Sequence, residues 1–156
     1  MPMPPSVTRL SKDGITFVSN VDRTQYTIKE LSRRALYDVA KFIRREVIKE
    51  IRTLPGMKRG KRPPRGIHYW VRSKETDLQI GFGHSKRGLS GDTWYLIQQE
   101  LGSRRQPKRS ILRNVVYNNI DKIRLIEGQY LSYINDENKA LGFINDKTYE
   151  SSDNEE

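Results

Sequence analysis

The side chains best equipped for chemistry in this sequence are cations. Lys58-Arg59-Gly60-Lys61-Arg62-Pro63-Pro64-Arg65 places five cations in eight residues, and Arg104-Arg105-Gln106-Pro107-Lys108-Arg109 is a second cluster. Guanidinium and ammonium groups at this density neutralise phosphates, or meet an acidic protein surface where complementary charge sets orientation and encounter rate. Tyr69 and Trp70 follow the first cluster and offer ring faces on which bases could stack. Charge alone leaves three readings open: a nucleic-acid contact, a docking surface for an acidic partner, and a solvated basic surface. Under the first two, the contact residues are Lys58, Arg59, Lys61, Arg62, Arg65, Arg104, Arg105, Lys108 and Arg109. Proline and glycine punctuate both clusters, which places them in loops or at loop edges.

Catalytic chemistry finds less support. The two histidines, His68 and His84, have no second histidine or carboxylate at a metal-ligand spacing. His68 alternates with apolar strand residues, which makes it a solvent-facing or pairing side chain. Gly81-Phe82-Gly83 lacks the third glycine and the helix opening that a dinucleotide site requires. Glu30, Glu46, Glu50 and Asp121 lie scattered over helical stretches, where partners three or four residues away explain them. The absence of cysteine removes disulfides, thiolate nucleophiles and thiolate metal ligands. The expectation is a non-enzyme without cofactor, metal or small-molecule substrate.

What must position the cations is one domain. The chain has 156 residues, 35% hydrophobic and 31% charged, with a formal net charge of +10. Residues 136–156 hold seven acids against two lysines, a net of −5, so the other 135 residues carry +15. The expected division is a disordered start at 1–6, a single α+β domain at 7–135, and an acidic, disordered tail at 136–156. No apolar run approaches the ~20 residues that span a bilayer, and the start resembles no export signal, so a soluble chain without membrane contact is expected.

Patterning supplies the elements. Val7–Leu10 and Ile15–Val18 flank Asp13-Gly14, a pair suited to the positive φ of a tight hairpin turn. Thr27-Ile28-Lys29-Glu30 has the spacing of a capping box, and apolar residues then recur at three- and four-residue steps from Ile28 to Leu54. This predicts an amphipathic helix over about 28–53, stopped by Pro55-Gly56. Ile67, Tyr69 and Val71, then Leu78, Ile80 and Phe82, alternate with polar or small residues and predict an antiparallel strand pair. Residues 92–101 favour a short helix capped by Asp92, with Trp94, Ile97 and Leu101 on one face and Gly102 as its stop, over a strand, for which the apolar run is also short enough. Pro107 suits the first turn of a final helix that runs to about 134. The expected fold is α+β: a long N-terminal amphipathic helix, an antiparallel strand pair or small sheet, a short helix and a long C-terminal helix.

The stretch Trp94-Tyr95-Leu96-Ile97-Gln98-Gln99-Glu100-Leu101-Gly102-Ser103-Arg104-Arg105-Gln106-Pro107, followed by an amphipathic helix, resembles the tail-completion or head–tail joining proteins of long-tailed bacteriophages, the family of minor tail protein Z of phage lambda. The matching positions are Ile80-Gly81-Phe82-Gly83, Tyr95, Glu100, Leu101, Gly102, Ser103 and Pro107, and the order of elements is similar over about 28–134. Lys108 stands where an aromatic commonly follows the proline. The resemblance implies a structural virion protein of the neck or upper tail, assembled in the host cytoplasm, forming a homo-oligomeric ring and binding other neck or tail-tube proteins. It makes Tyr95, Glu100, Leu101, Gly102, Ser103 and Pro107 a candidate subunit interface. A basic nucleic-acid-binding module is the alternative, and a contact with DNA stays open under either reading. Glu100-Leu101-Gly102-Ser103 can equally be an ordinary helix end with its glycine stop.

Overall fold

A computed structural model describes residues 3–54, 66–72, 76–83 and 91–145. The order is β1 (Thr8–Lys12), β2 (Ile15–Ser19), α1 (Val21–Thr53), β3 (Ile67–Arg72), β4 (Asp77–Phe82), α2 (Gly91–Leu101), α3 (Ile111–Asn118), α4 (Ile120–Ser132), a 3-10 turn at Tyr133–Asn135, and α5 (Glu137–Asn145). The fold class is α+β with a long N-terminal helix. Two antiparallel pairs, β1–β2 and β3–β4, stand as separate two-stranded sheets.

The first hairpin forms as its turn residues dictate, with φ of 52° at Asp13 and 78° at Gly14. Helix α1 begins earlier than the capping box predicts. Ser19 Oγ accepts the Val21 N–H at 3.3 Å, and the Arg23 guanidinium holds the Pro4 carbonyl at 2.9 Å. These contacts carry the helix through 21–27, so Thr27 lies inside it and its hydroxyl donates back to the Arg23 carbonyl at 2.9 Å. Glu30 faces Arg33 at 3.8 Å instead of closing a box. The stop expected at Pro55-Gly56 lies outside the described residues.

Arg23, Thr27, Leu31, Ala35, Val39, Ile43, Val47 and Ile51 form a buried stripe along α1 that recurs every four residues. A helix turns about 100° per residue, so each step of four advances the stripe by about 40°. Between Leu31 and Ile51 the buried side therefore swings by roughly 200°, and the two ends of α1 pack against different partners. The C-terminal part, Val39 to Leu54, shares a core with Ile67, Leu96, Ile111 and Val115, flanked by Leu78, Ile80 and Phe82. The N-terminal part, Leu31 and Ala35, packs on Tyr130 and Ala140. Ile126 touches both clusters.

In the β3–β4 pair the register is Ile67↔Phe82, Tyr69↔Ile80 and Val71↔Leu78 on the core side, and His68↔Gly81, Trp70↔Gln79 and Arg72↔Asp77 on the outer side. This is the alternation the sequence predicts. Arg72 closes the pair, donating from Nε to Asp77 Oδ1 at 2.7 Å and from Nη2 to Oδ2. That side-chain hydrogen bond holds the Asp77 carboxyl below its ordinary value. A lowered folded pKa stabilises above the unfolded value, and the contribution disappears as pH falls through the folded one. In an NMR titration, Asp77 is expected to have a midpoint below the ~3.9 of a free aspartate, with Arg72→Gln bringing it back. An unshifted parent midpoint would refute the pairing.

Two further expectations about the C-terminal part need correction. The final helix is not continuous, because it breaks at Asn119, whose φ of −117° and ψ of 18° leave the helical region. Its side-chain amide donates to the Val115 carbonyl at 2.9 Å, closing α3 and letting α4 start afresh. Asparagine favours such breaks because its short amide competes for backbone partners. The acidic tail does not begin at 136 either. Residues 137–145 form α5, where Ala140 is fully buried, Ile144 packs beside it, and the Ile144 carbonyl accepts from Arg34. Apolar Ala140 and Ile144, four residues apart, outweigh the local acidity by burying against α1. Residues 1–2 of the expected disordered start and 146–156 of the tail lie outside the described residues.

Candidate functional site

The segment from Gly102 to Ser110 connects α2 to α3, and polar groups in it and in the last turn of α2 hold it closed. Gln99 is 3% exposed. Its Nε2 donates to Gln106 Oε1 at 2.9 Å, while its carbonyl accepts the Arg109 N–H at 2.9 Å. Ser103 and Gln106 exchange backbone hydrogen bonds at 2.9 and 3.2 Å, enclosing a two-residue turn tipped by Arg104 and Arg105. The Ser103 hydroxyl accepts the Arg105 N–H at 3.4 Å.

Gly102 ends α2 with φ +82°, and its N–H donates to the Gln98 carbonyl at 2.7 Å. A Cβ at this position would stand 3.0 Å from the Lys108 backbone nitrogen, so glycine is required by conformation and by space.

Helix α3 starts without a side-chain cap of its own, since Ser110 is left-handed with φ 49° and ψ 47°. Glu100 replaces the cap across the loop. Its carboxylate accepts the Leu112 N–H at 2.9 Å and the Arg113 N–H at 3.4 Å. Two orphan donors at a helix start are thereby met by a negative charge placed where the helix dipole favours it. Pro107 does not open α3. It lies four residues ahead of Ile111, exposed, on the returning limb of the turn.

The residues singled out by sequence therefore divide. Arg104, Arg105, Lys108 and Arg109 are all exposed and share one braced loop. Leu101, 68% exposed, and Ser103 border it, and Tyr95 is half-buried in α2. Glu100 and Gly102 support the loop from within. Gln99 was not marked by sequence reasoning, nor was the capping role of Glu100, because both partners lie across a loop whose closure no local pattern encodes. The expected apolar face of α2 also turns: Leu96 and Gln99 are buried whereas Leu101 faces water. Lys58, Arg59, Lys61, Arg62, Arg65 and His84, and the side chains of Asp92 and Trp94, lie outside the described residues. Tyr69 and Trp70 cannot form one stacking platform, since alternation sends Tyr69 toward the core side and leaves Trp70 64% exposed.

Beside the loop, Arg109 lines an open cleft of about 270 Å³ with Glu46, Lys49, Glu50 and Asn114 over an apolar floor of Ile111 and Val115. Glu46 is paired there with Lys49 at 3.7 Å. Among the described residues, no group of three or more histidine or carboxylate side chains is arranged to hold a metal ion, and no helix is long and apolar enough to cross a membrane. What the arrangement does chemically is present four cations and an exposed leucine on a loop of set shape. No family model, curated protein or solved structure matches the chain.

Proposed function

We propose that this chain is a structural, non-catalytic virion protein that helps join a bacteriophage head to its tail, acting as a tail-completion or neck ring subunit. It would sit in the neck or upper tail after assembly in the host cytoplasm, binding further copies of itself and other neck or tail-tube proteins. The observation that carries the reading is the use made of the Glu100-Leu101-Gly102-Ser103 segment. Its polar groups, with Gln99, brace a loop that exposes Arg104, Arg105, Lys108 and Arg109. Polar groups that serve a catalyst converge on a cavity, whereas Gln99 Nε2 and the Glu100 carboxylate are used in bracing an exposed, cationic loop. A stiff loop loses little conformational freedom on docking, which favours contact with an acidic protein surface. The order of helix, strand pair, short helix and closing helices agrees with the resemblance drawn from sequence.

The test is charge reversal at the tip. Arg104→Glu with Arg105→Glu is expected to leave thermal stability within about 0.5 kcal/mol, as exposed substitutions do, while lowering the yield of infectious particles at least tenfold in a complementation assay. Normal yield from the reversed protein would remove the loop from the joining surface. Genes for a portal, a major capsid protein and a tail tube beside this one would support the reading, and neighbours of another kind would count against it.

A second reading, a nucleic-acid-binding module, is favoured by exposed Trp70 together with the same arginines. It predicts affinity for free DNA or RNA that falls steeply with salt, in proportion to the phosphates neutralised.

A further inference from the structure

We propose that the β1–β2 hairpin of one copy packs on the outer face of the β3–β4 pair of a neighbouring copy, anchored on Trp70. The inference rests on the assembly-subunit reading for its setting and identifies the surfaces that would meet.

Among the described residues, nothing covers the apolar side of the hairpin. Its register, Leu10↔Phe17 and Lys12↔Ile15, brings Leu10, Phe17 and Ile15 to one face, where they are 62%, 59% and 75% exposed. Arg9, Ser11, Thr16 and Val18 take the other face. A lone two-stranded hairpin is marginally stable in water and needs a further strand or a packed face. Taking ~200 Å² for a large side chain standing free, these three leave about 400 Å² of apolar surface in solvent. A stable interface buries about 800 Å² per partner, with somewhat more than half of it apolar. The apolar part of the hairpin face is close to that size.

The β3–β4 pair presents the complementary deficit. Its core side is filled by α1, while its outer side carries His68, Trp70, Gln79 and Gly81, and no element among the described residues packs there. Trp70 is 64% exposed, and a Cβ at Gly81 would meet nothing within 4 Å, which leaves room beside the indole. An exposed tryptophan over open space has the character of an interface anchor.

The chain cannot make this contact with itself. The hairpin joins α1 through Asn20 alone, whereas β3–β4 packs with Val39 to Leu54 at the helix's other end. With 33 residues, α1 is about 50 Å long. The hairpin therefore projects from one end of a rod whose other end bears the open sheet. Two different patches meeting between successive copies form a heterologous contact, which closes into a ring when the rotation allows.

The absence of cysteine makes cross-linking clean. Lys12→Cys lies on the hairpin's apolar side and Gln79→Cys lies opposite Trp70, and both replacements leave Leu10, Ile15, Phe17 and Trp70 in place. The two full-length variants, one carrying a larger tag, are mixed at about 1 mM, where even millimolar contacts form, and oxidised mildly. The expected product is the mixed disulfide, in about tenfold excess over either homodimer. A chain carrying both cysteines should give a ladder of head-to-tail oligomers. Trp70→Ala should remove the mixed product without changing the far-UV spectrum or Tm. A statistical mixture, predominance of hairpin–hairpin or sheet–sheet disulfides, no interchain product, or an undiminished mixed product with Trp70→Ala would each overturn the proposal. Because this assay uses the purified chain alone, a positive cross-link combined with normal particle yield from a phage lacking the chain would count against the virion role and leave the interface standing.

Discussion

Ile51→Ala is expected to lower the unfolding free energy by about 3 kcal/mol, and Leu31→Ala by a similar amount, with one cooperative transition in each case. Both side chains are fully buried. Each loses its transfer free energy and leaves a cavity in an interior that relaxes only in part. In a chain of this length the loss corresponds to roughly 6–12 °C in Tm. The informative part is the shape of the transition. Ile51 belongs to the cluster around Ile67, Leu96 and Ile111, and Leu31 to the cluster around Tyr130 and Ala140, on nearly opposite sides of α1. One helix and the shared Ile126 connect them, so damage to either should destabilise both. Urea titration followed by far-UV circular dichroism and by amide exchange tests this. Two transitions, or exchange released in only one cluster, would show that the halves fold independently.

Gly102→Ala is expected to cost about 2–3 kcal/mol, more than the same change at Gly14. Both glycines have a left-handed φ, 82° and 78°, and an L-residue in that region costs roughly 1–2 kcal/mol. They differ in surroundings. A Cβ on Gly14 meets nothing within 4 Å, whereas one on Gly102 lies 3.0 Å from the Lys108 nitrogen and 3.1 Å from its Cα. Backbone cannot yield as a side chain can, so the loop must open and the Arg109 to Gln99 hydrogen bond must lengthen. Glu100→Ala provides a scale, because it removes a helix cap without crowding anything and should cost about 1 kcal/mol. Equal losses at Gly102 and Gly14 would dispose of the crowding argument. Under the proposed joining role, Gly102→Ala should also reduce particle yield, because it distorts the loop that carries Arg104 and Arg105 while leaving every cation in place.

The parts of the fold that were legible from sequence are those whose cause is local. The strand pair followed from Ile67, Tyr69 and Val71 alternating with polar neighbours, and the hairpin turn from Asp13-Gly14, whose φ values are those the turn needs. The helical character of 28–53 followed from apolar spacing. The start of α1 was misplaced because Thr27 and Glu30 have the spacing of a cap, while the Arg23 to Pro4 contact that extends the helix joins residues 19 apart. The break at Asn119 was missed because Ile120, Ile123 and Ile126 continue the apolar rhythm across it.

By itself the sequence determined a cysteine-free, strongly cationic chain of α+β type, with its cations in two Pro/Gly-marked clusters and its long first helix, short helix, strand pair and first turn near their observed places. Charge, side-chain period and turn preference act within a few residues, so they can be read along the chain. Only the tertiary structure decided that Glu100 caps a helix beginning eleven residues later, that Gln99 is buried to hold an arginine-tipped turn, that 137–145 fold onto α1, and that Trp70 and the apolar side of the first hairpin are left facing water. Each of those outcomes depends on which surfaces meet across the chain, and α1 sets them by turning its buried stripe through roughly 200° between its two cores.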